Sequence, residues 1–352
     1  MTRLYFVNTH GWERSKFMNY SNPFLTQNCQ VFGMLRLGFR RSGLVYKDTR
    51  SMTTTRKVDL CGIFPPIAMS FNADESIRYD HLEENLRRWN TIPFKGYAVH
   101  GSNGEFAYLS KEERIDILKH VKRFATDDKV IIAGAGCEST RDTIQLSSEM
   151  ASAGADALLV ITPCFYKSGM TNQALLQHYT KVADSSQAPI ILYSVPANTG
   201  IDLSVEVITK LAAHPNVIGV KESGGDVAKI GLVVHQTKQH DFQVLAGSGS
   251  FFLSACTVGA VGAIAAIANV LGSEMCQLHQ LFKDGKMEEA VRLQHRIIAP
   301  NGAVTRMFGV PGLKRSMEWF GYNGGPMRSP LQPLTSEQEA LMRAAFKDNG
   351  FL

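Results

Sequence analysis

Between residues 57 and about 285 the chain alternates short apolar runs with amphipathic segments that carry helix-start signals. The apolar runs lie at 62–68, 96–100, 130–135, 157–162, 189–194, 217–221, 243–247 and 262–268. Each is mostly apolar throughout, without strict polar alternation, as expected of a parallel strand covered on both faces. Between them, Ser110-Lys-Glu-Glu113 has the form of a capping box, with Ile117, Val121 and Phe124 on one face of the helix it starts. Asp80 to Trp89 groups Leu82, Leu86 and Trp89. Thr171, Ser204, Asp226 and Ser273 each precede an apolar stripe as N-caps.

Eight such strand–helix units in about 230 residues predict a (β/α)8 TIM barrel, an α/β fold. An open doubly wound sheet is the competitor. It usually carries a glycine fingerprint after its first strand, where this chain has the stiff turn Phe64-Pro65-Pro66. Residues 286–352 read as a C-terminal helical layer, with turns at 309–312 and 321–330. The barrel is assigned to 57–285.

Residues 1–56 do not fit this pattern. They hold nine Lys/Arg and two acids, a net of +7, against 28 basic and 30 acidic residues in 57–352. The overall +5 therefore comes from the leader, and the body gives no support to a nucleic-acid partner. Arg-rich, Ser/Thr-rich and poor in acids, the leader reads as an organelle transit segment; a tail without an address is the plainer alternative. Met34, which opens Met34-Leu-Arg-Leu-Gly-Phe-Arg-Arg, is a candidate alternative start.

The six cysteines and ten histidines are scattered, without zinc-ligand spacing, so neither a disulfide framework nor a metal site is expected. The uncharged stretch 242–273 is long enough to span a bilayer, but five glycines punctuate it. It reads better as strand, helix, strand, and no membrane partner is expected.

In a barrel of this kind, chemistry sits at the carboxyl ends of the strands. The sixth strand ends at Lys221. A free lysine has a pKa of ~10.4, and burial in the barrel mouth would favour the uncharged amine, which can attack a ketone. A lysine exposed or ion-paired at a strand end is the plainer reading. The fifth strand ends at Tyr193, either a core tyrosine or a phenol placed to move protons beside its neighbour strand. Gly101-Ser102-Asn103-Gly104-Glu105 follows the second strand: an ordinary loop, or a turn that holds a carboxylate or phosphate. Glu105 reads better as a structural carboxylate than as a base. Gly247-Ser-Gly-Ser250 offers an alternative phosphate turn.

Together, Gly101-Ser-Asn-Gly-Glu105, Tyr193-Ser-Val-Pro196, Thr199-Gly200 and Val220-Lys221-Glu222 resemble the dihydrodipicolinate synthase/N-acetylneuraminate lyase family along essentially all of 57–352. The resemblance implies a Schiff-base 2-oxo-acid aldolase, a carbon–carbon lyase that needs no cofactor. Lys221 would form the imine and Tyr193 would shuttle protons. Ser102 and Asn103 would hold the carboxylate, and Ser223 would meet the distal end of the substrate. The expected substrate is 4-hydroxy-2-oxoglutarate, cleaved to pyruvate and glyoxylate. Aldolases for sugar-derived 2-keto-3-deoxy acids or sialic acid remain open, as does a catalytically impaired binding relative. A homotetramer or homodimer is implied by analogy, and so is a mitochondrial (matrix) location, with which the basic leader agrees.

Two positions depart from the family pattern. Asn198, an expected substrate contact, stands where the synthases carry a substrate-binding arginine, and an amide cannot pair bidentately with a carboxylate as guanidinium does. Phe165, in Thr162-Pro-Cys-Phe-Tyr166, aligns with a proton-relaying tyrosine, which leaves Tyr166 or water to take over that relay.

Overall fold

The computed structural model describes residues 58–352; the expectations for the leader, Met34 among them, fall outside the described residues. Eight parallel strands form a (β/α)8 barrel. They are β1 (Ile63–Phe64), β2 (Gly96–Val99), β3 (Val130–Gly134), β4 (Ala157–Ile161), β5 (Ile190–Ser194), β6 (Val217–Glu222), β7 (Gln243–Ala246) and β8 (Gly262–Ile264). The hydrogen-bonded order runs β1-β8-β7-β6-β5-β4-β3-β2. Between β1 and β2 the ring is closed by Lys95 N–H to Ile63 O at 3.0 Å, Ala98 N–H to Pro65 O at 3.1 Å and Ile67 N–H to Ala98 O at 2.9 Å.

Two strands, the first and the eighth, are several residues shorter than the apolar runs suggested. Pro65 and Pro66 have no N–H to give, so the regular ladder of β1 stops at Phe64 and only a bridge from Pro66 to Ala98 continues it. After β8 the chain tightens into a 3-10 turn, Ala266–Asn269. Asn269 is fully buried there. Its side-chain amide donates to Pro66 O (3.0 Å) and Ala266 O (2.9 Å), and its backbone carbonyl accepts from the Trp89 indole (3.1 Å).

The surrounding helices are α1 (Tyr79–Trp89), α2 (Lys111–Phe124), α3 (Thr140–Ser152), α4 (Asn172–Ser185), α5 (Pro196–Thr199), α6 (Val205–Ala212), α7 (Val227–Thr237), α8 (Phe252–Thr257) and α9 (Gly272–Lys283). The capping box at Ser110 and the caps at Thr171, Ser204 and Asp226 form as the sequence suggests. Ser273 does not cap: α9 begins one residue earlier, with Leu271 in the cap position. Helix α3 is capped by Ser139, whose hydroxyl accepts from Asp142 N–H at 3.0 Å, a start that the sequence reading passed over. The uncharged stretch 242–273 resolves into β7, α8, β8 and the start of α9. Among the described residues no helix is long and apolar enough to cross a membrane.

The core has two layers. Phe64, Ala98, Ile132, Leu159, Ile191, Tyr193, Leu245 and Ile264 fill the barrel. Alternate residues of the same strands, such as Val99, Leu158, Leu192 and Val220, face the helices.

Beyond the barrel come α10 (Met287–Gly302), α11 (Gly309–Trp319) and α12 (Ser336–Lys347). The turn expected at 309–312 is instead the first turn of α11, where Pro311 removes an N–H that has no intrahelical partner anyway. A buried ion pair ties this layer to the barrel. Lys314 of α11 reaches Glu105, after β2, at 2.8 Å, and both side chains are essentially inaccessible. The second Glu105 oxygen accepts from Arg328 N–H at 2.9 Å. Glu105 is thus the structural carboxylate that the sequence favoured.

Removing one partner of such a pair strands the other charge, at a cost of roughly 3–5 kcal/mol. Lys314→Met is therefore expected to lower the denaturant midpoint sharply, and adding Glu105→Gln to recover part of the loss. A second prediction concerns His178 of α4. Its Nδ1 meets the Thr140 hydroxyl at 3.0 Å, and burial pushes the imidazole down to about 4. The unfolded chain takes up this proton more readily than the folded one. Stability is then full above about pH 6.5 and declines as pH falls toward about 4. Urea midpoints measured across that window should fall less steeply for His178→Gln than for the parent.

Candidate active site

The β5–β6 register sets Tyr193 opposite Lys221, and β6–β7 sets Lys221 opposite Leu245. Tyr193 and Leu245 belong to the barrel interior, so Lys221 shares their inward face. It is 3% exposed, and its side-chain nitrogen lies 4.0 Å from the centre of the Tyr193 ring. The structure therefore excludes the solvent-exposed strand-end lysine that the spacing alone had left open. Burial by itself raises the Tyr193 phenol. The charge of Lys221 and hydrogen bonding from Ser102, Lys221 and Ser223 outweigh that burial and leave the phenol below its ordinary value.

Ser102 and Asn103 lie in a 3-10 turn, Ser102–Gly104, directly after β2. The chain enters it through His100, a buried residue held at a left-handed φ of 63°, and leaves it at Glu105, which Lys314 anchors. The turn is thus held at both ends by buried residues, which pre-positions the Ser102 and Asn103 side chains.

Ser223 follows β6. Its N–H donates to Ser194 O at 2.9 Å. Its buried hydroxyl has no hydrogen-bond partner of standard geometry among the described residues, although it is close enough to favour the Tyr193 phenolate. Gly247 makes this arrangement possible: a Cβ there would lie 1.8 Å from Ser223 Oγ and 2.8 Å from Glu222 O. The sequence reading noticed Gly247 only as part of a phosphate turn.

Three backbone donors of that phosphate turn are already used. Gly247 N–H bonds Glu222 O at 2.7 Å, Gly249 N–H bonds Asn301 Oδ1 at 3.2 Å, and Ser250 N–H bonds Ser248 Oγ at 3.4 Å. Gln294 and Asn301 of α10 fasten the turn to the C-terminal layer.

Two further supports were not legible beforehand. Behind the Lys221–Tyr193 pair, Lys229 of α7 bridges Glu222 (2.8 Å) and Asp202 (2.5 Å). Asp202 in turn accepts from the Ser194 hydroxyl at 2.8 Å. One lysine thus ties the end of β6 to the segment that follows β5. Burial raises the Glu222 carboxyl, and Lys229 only partly opposes that. Glu138 is the second support: it accepts from the N–H groups of Cys164 and Phe165, both at 2.9 Å, and shapes the loop after β4.

The remaining expected residues stand apart from the buried pair. Asn198 is exposed on α5. Phe165 and Tyr166 are 75% and 74% exposed and pack edge to face, 5.0 Å between ring centres. Among the described residues no group of three or more His, Cys, Asp or Glu side chains is placed to hold a metal ion.

Chemically, the arrangement is a buried amine, a phenol of lowered pKa and convergent hydroxyl donors at the carboxyl end of a barrel. Known proteins share the frame. The sequence pattern of the dihydrodipicolinate synthetase family matches residues 59–349. The 4-hydroxy-tetrahydrodipicolinate synthase of Methanothrix thermoacetophila is 32% identical over 80% of this chain and 94% of its own. A protein of Emericella nidulans named probable 4-hydroxy-2-oxoglutarate aldolase, mitochondrial, is 33% identical over 82% of this chain and 94% of its own. Among solved structures, the dihydrodipicolinate synthase of Acinetobacter baumannii, crystallised with pyruvate, superposes with a TM-score of 0.79 at 28% identity. That match covers 84% of this chain and all of that one. With the family pattern spanning the barrel and the C-terminal layer alike, the chain belongs to the dihydrodipicolinate synthetase family and is a lyase.

Proposed function

We propose that this lyase is a class I aldolase that cleaves 4-hydroxy-2-oxoglutarate to pyruvate and glyoxylate in the mitochondrial matrix. One observation carries the reading: Lys221 is buried inside the barrel with its amine 4.0 Å from the Tyr193 ring. The Asn198 amide, in place of the arginine of the synthases, favours the aldolase over dihydrodipicolinate synthesis. The net +7 of residues 1–56 and the name of the Emericella relative support the location. The exposed Phe165–Tyr166 pair supports assembly into a homodimer or homotetramer that covers it.

In this mechanism the unprotonated Lys221 amine attacks the C2 ketone. Tyr193 delivers the proton that lets the carbinolamine lose water, and a protonated imine remains. Ser102 and Asn103 hold the C1 carboxylate and fix the ketone against the amine. The Tyr193 phenolate, favoured by Lys221, Ser102 and Ser223, takes the proton of the C4 hydroxyl. The C3–C4 pair of electrons flows into the imine, and glyoxylate departs. The enamine is protonated at C3, and water then releases pyruvate and restores the amine. The imine itself is the electron sink, so the reaction calls for no metal.

Borohydride reduction in the presence of pyruvate should leave a covalent adduct on Lys221, located by peptide mass spectrometry. An unmodified Lys221 rules the mechanism out. In a coupled assay for glyoxylate, Lys221→Ala should be inactive. Tyr193→Phe should lose roughly 10²–10⁴-fold in kcat, with KM changed far less. Pyruvate adduct without any glyoxylate release would instead favour the binding relative that Phe165 suggests.

A further inference from the structure

Lys167 begins the short 3-10 turn Lys167–Gly169 after β4 and lies across the segment that follows β5. Its stem rests on Gly200: a Cβ at residue 200 would meet Lys167 Nζ at 2.9 Å, Cε at 3.2 Å and Cδ at 3.4 Å. Gly200 has a left-handed φ of 67° and closes α5, the short helix that carries Asn198. An otherwise exposed lysine is thus laid in a groove that exists because residue 200 has no side chain.

The nearby acids are committed elsewhere. Asp202 and Glu222 share Lys229, and Glu138 accepts two backbone N–H groups. Among the described residues the Lys167 side chain has neither an ion-pair nor a hydrogen-bond partner; only its carbonyl is used, accepting from Met170 N–H at 3.0 Å. It leaves an uncompensated positive charge at the carboxyl-end rim, between the loops after β4 and β5. Ser102, Asn103, Ser223 and Asn198 are all neutral donors, and the substrate proposed above carries two carboxylates.

We propose that Lys167 is a specificity residue, a cation that recognises the second carboxylate of a 2-oxo dicarboxylic acid whose first carboxylate is held by Ser102 and Asn103. Asn198 stands where the synthases have their arginine, and the charge returns here from the neighbouring loop, steadied by Gly200. The inference rests on the Schiff-base reading of Lys221 and extends it to substrate choice.

The test uses reductive trapping, which needs imine formation but no turnover. Half-saturating concentrations for borohydride trapping on Lys221 are measured with 2-oxoglutarate, which has the second carboxylate, and with pyruvate, which lacks it. Lys167→Met should raise the value for 2-oxoglutarate at least about tenfold, the scale of a lost charge-assisted hydrogen bond, and leave that for pyruvate unchanged. Lys167→Arg should retain preference for the dicarboxylate. An equal weakening toward both acids would show that Lys167 only braces the end of α5, and no weakening toward 2-oxoglutarate would show that it does not meet the ligand; either result overturns the proposal. If the unmodified protein traps neither acid, the Schiff-base reading itself fails, and this inference fails with it.

Discussion

The placement of Lys221 inside the barrel, against the ring of Tyr193, is the constraint on which the site depends. The side-chain nitrogen is withdrawn from water and rests against the aromatic face of Tyr193, whose phenol Ser102 and Ser223 also approach. The same contact lowers the phenol, so the two groups form a pair that can exchange a proton. A slip of one residue between β5 and β6 would turn one partner toward the helices and break the pair. Much of the surrounding structure serves to prevent that slip. The Tyr193–Lys221 register is bracketed by Ser194–Glu222. Lys229 clamps the segments beyond it, and Ser223 is bonded back to Ser194.

The C-terminal layer belongs to the same design. Glu105 ends the turn that carries Ser102 and Asn103, and its partner Lys314 comes from α11. The turn after β7 is held by Gln294 and Asn301 of α10. Both turns lie at the carboxyl end of the barrel, and helices from the far end of the chain hold each in place. A barrel without this layer would leave Glu105 charged, buried and unpaired, a cost no loop at the rim of an active site can offset.

The fold was legible because its signals are local. Eight apolar runs separated by capped helices need only the immediate neighbours of each residue to be recognised, and the caps at Ser110, Thr171, Ser204 and Asp226 form by bonds that span three residues. Strand ends were less legible. The first stops because two prolines lack donors, which is visible locally. The eighth stops because Asn269 finds Pro66, about two hundred residues away, which is not. Helix α11 began where glycines and a proline suggested a turn, since the first turn of a helix tolerates a proline that its interior would not.

Sequence alone determined the barrel class, the separation of a basic leader from a near-neutral body, and the adjacency of Tyr193 and Lys221 at the ends of consecutive strands. These follow from periodicity, composition and chain order, all of which are properties of neighbouring residues. Only the tertiary structure decided that Lys221 points inward, that Glu105 pairs with Lys314, that Gly247 makes room for the Ser223 hydroxyl, and that the N–H groups of Gly247, Gly249 and Ser250 are already taken. Each of those depends on which distant side chain fills a given few cubic ångströms. That is set by the closure of the barrel and by the packing of the last helices upon it, where segments with no relation along the chain come within hydrogen-bond reach.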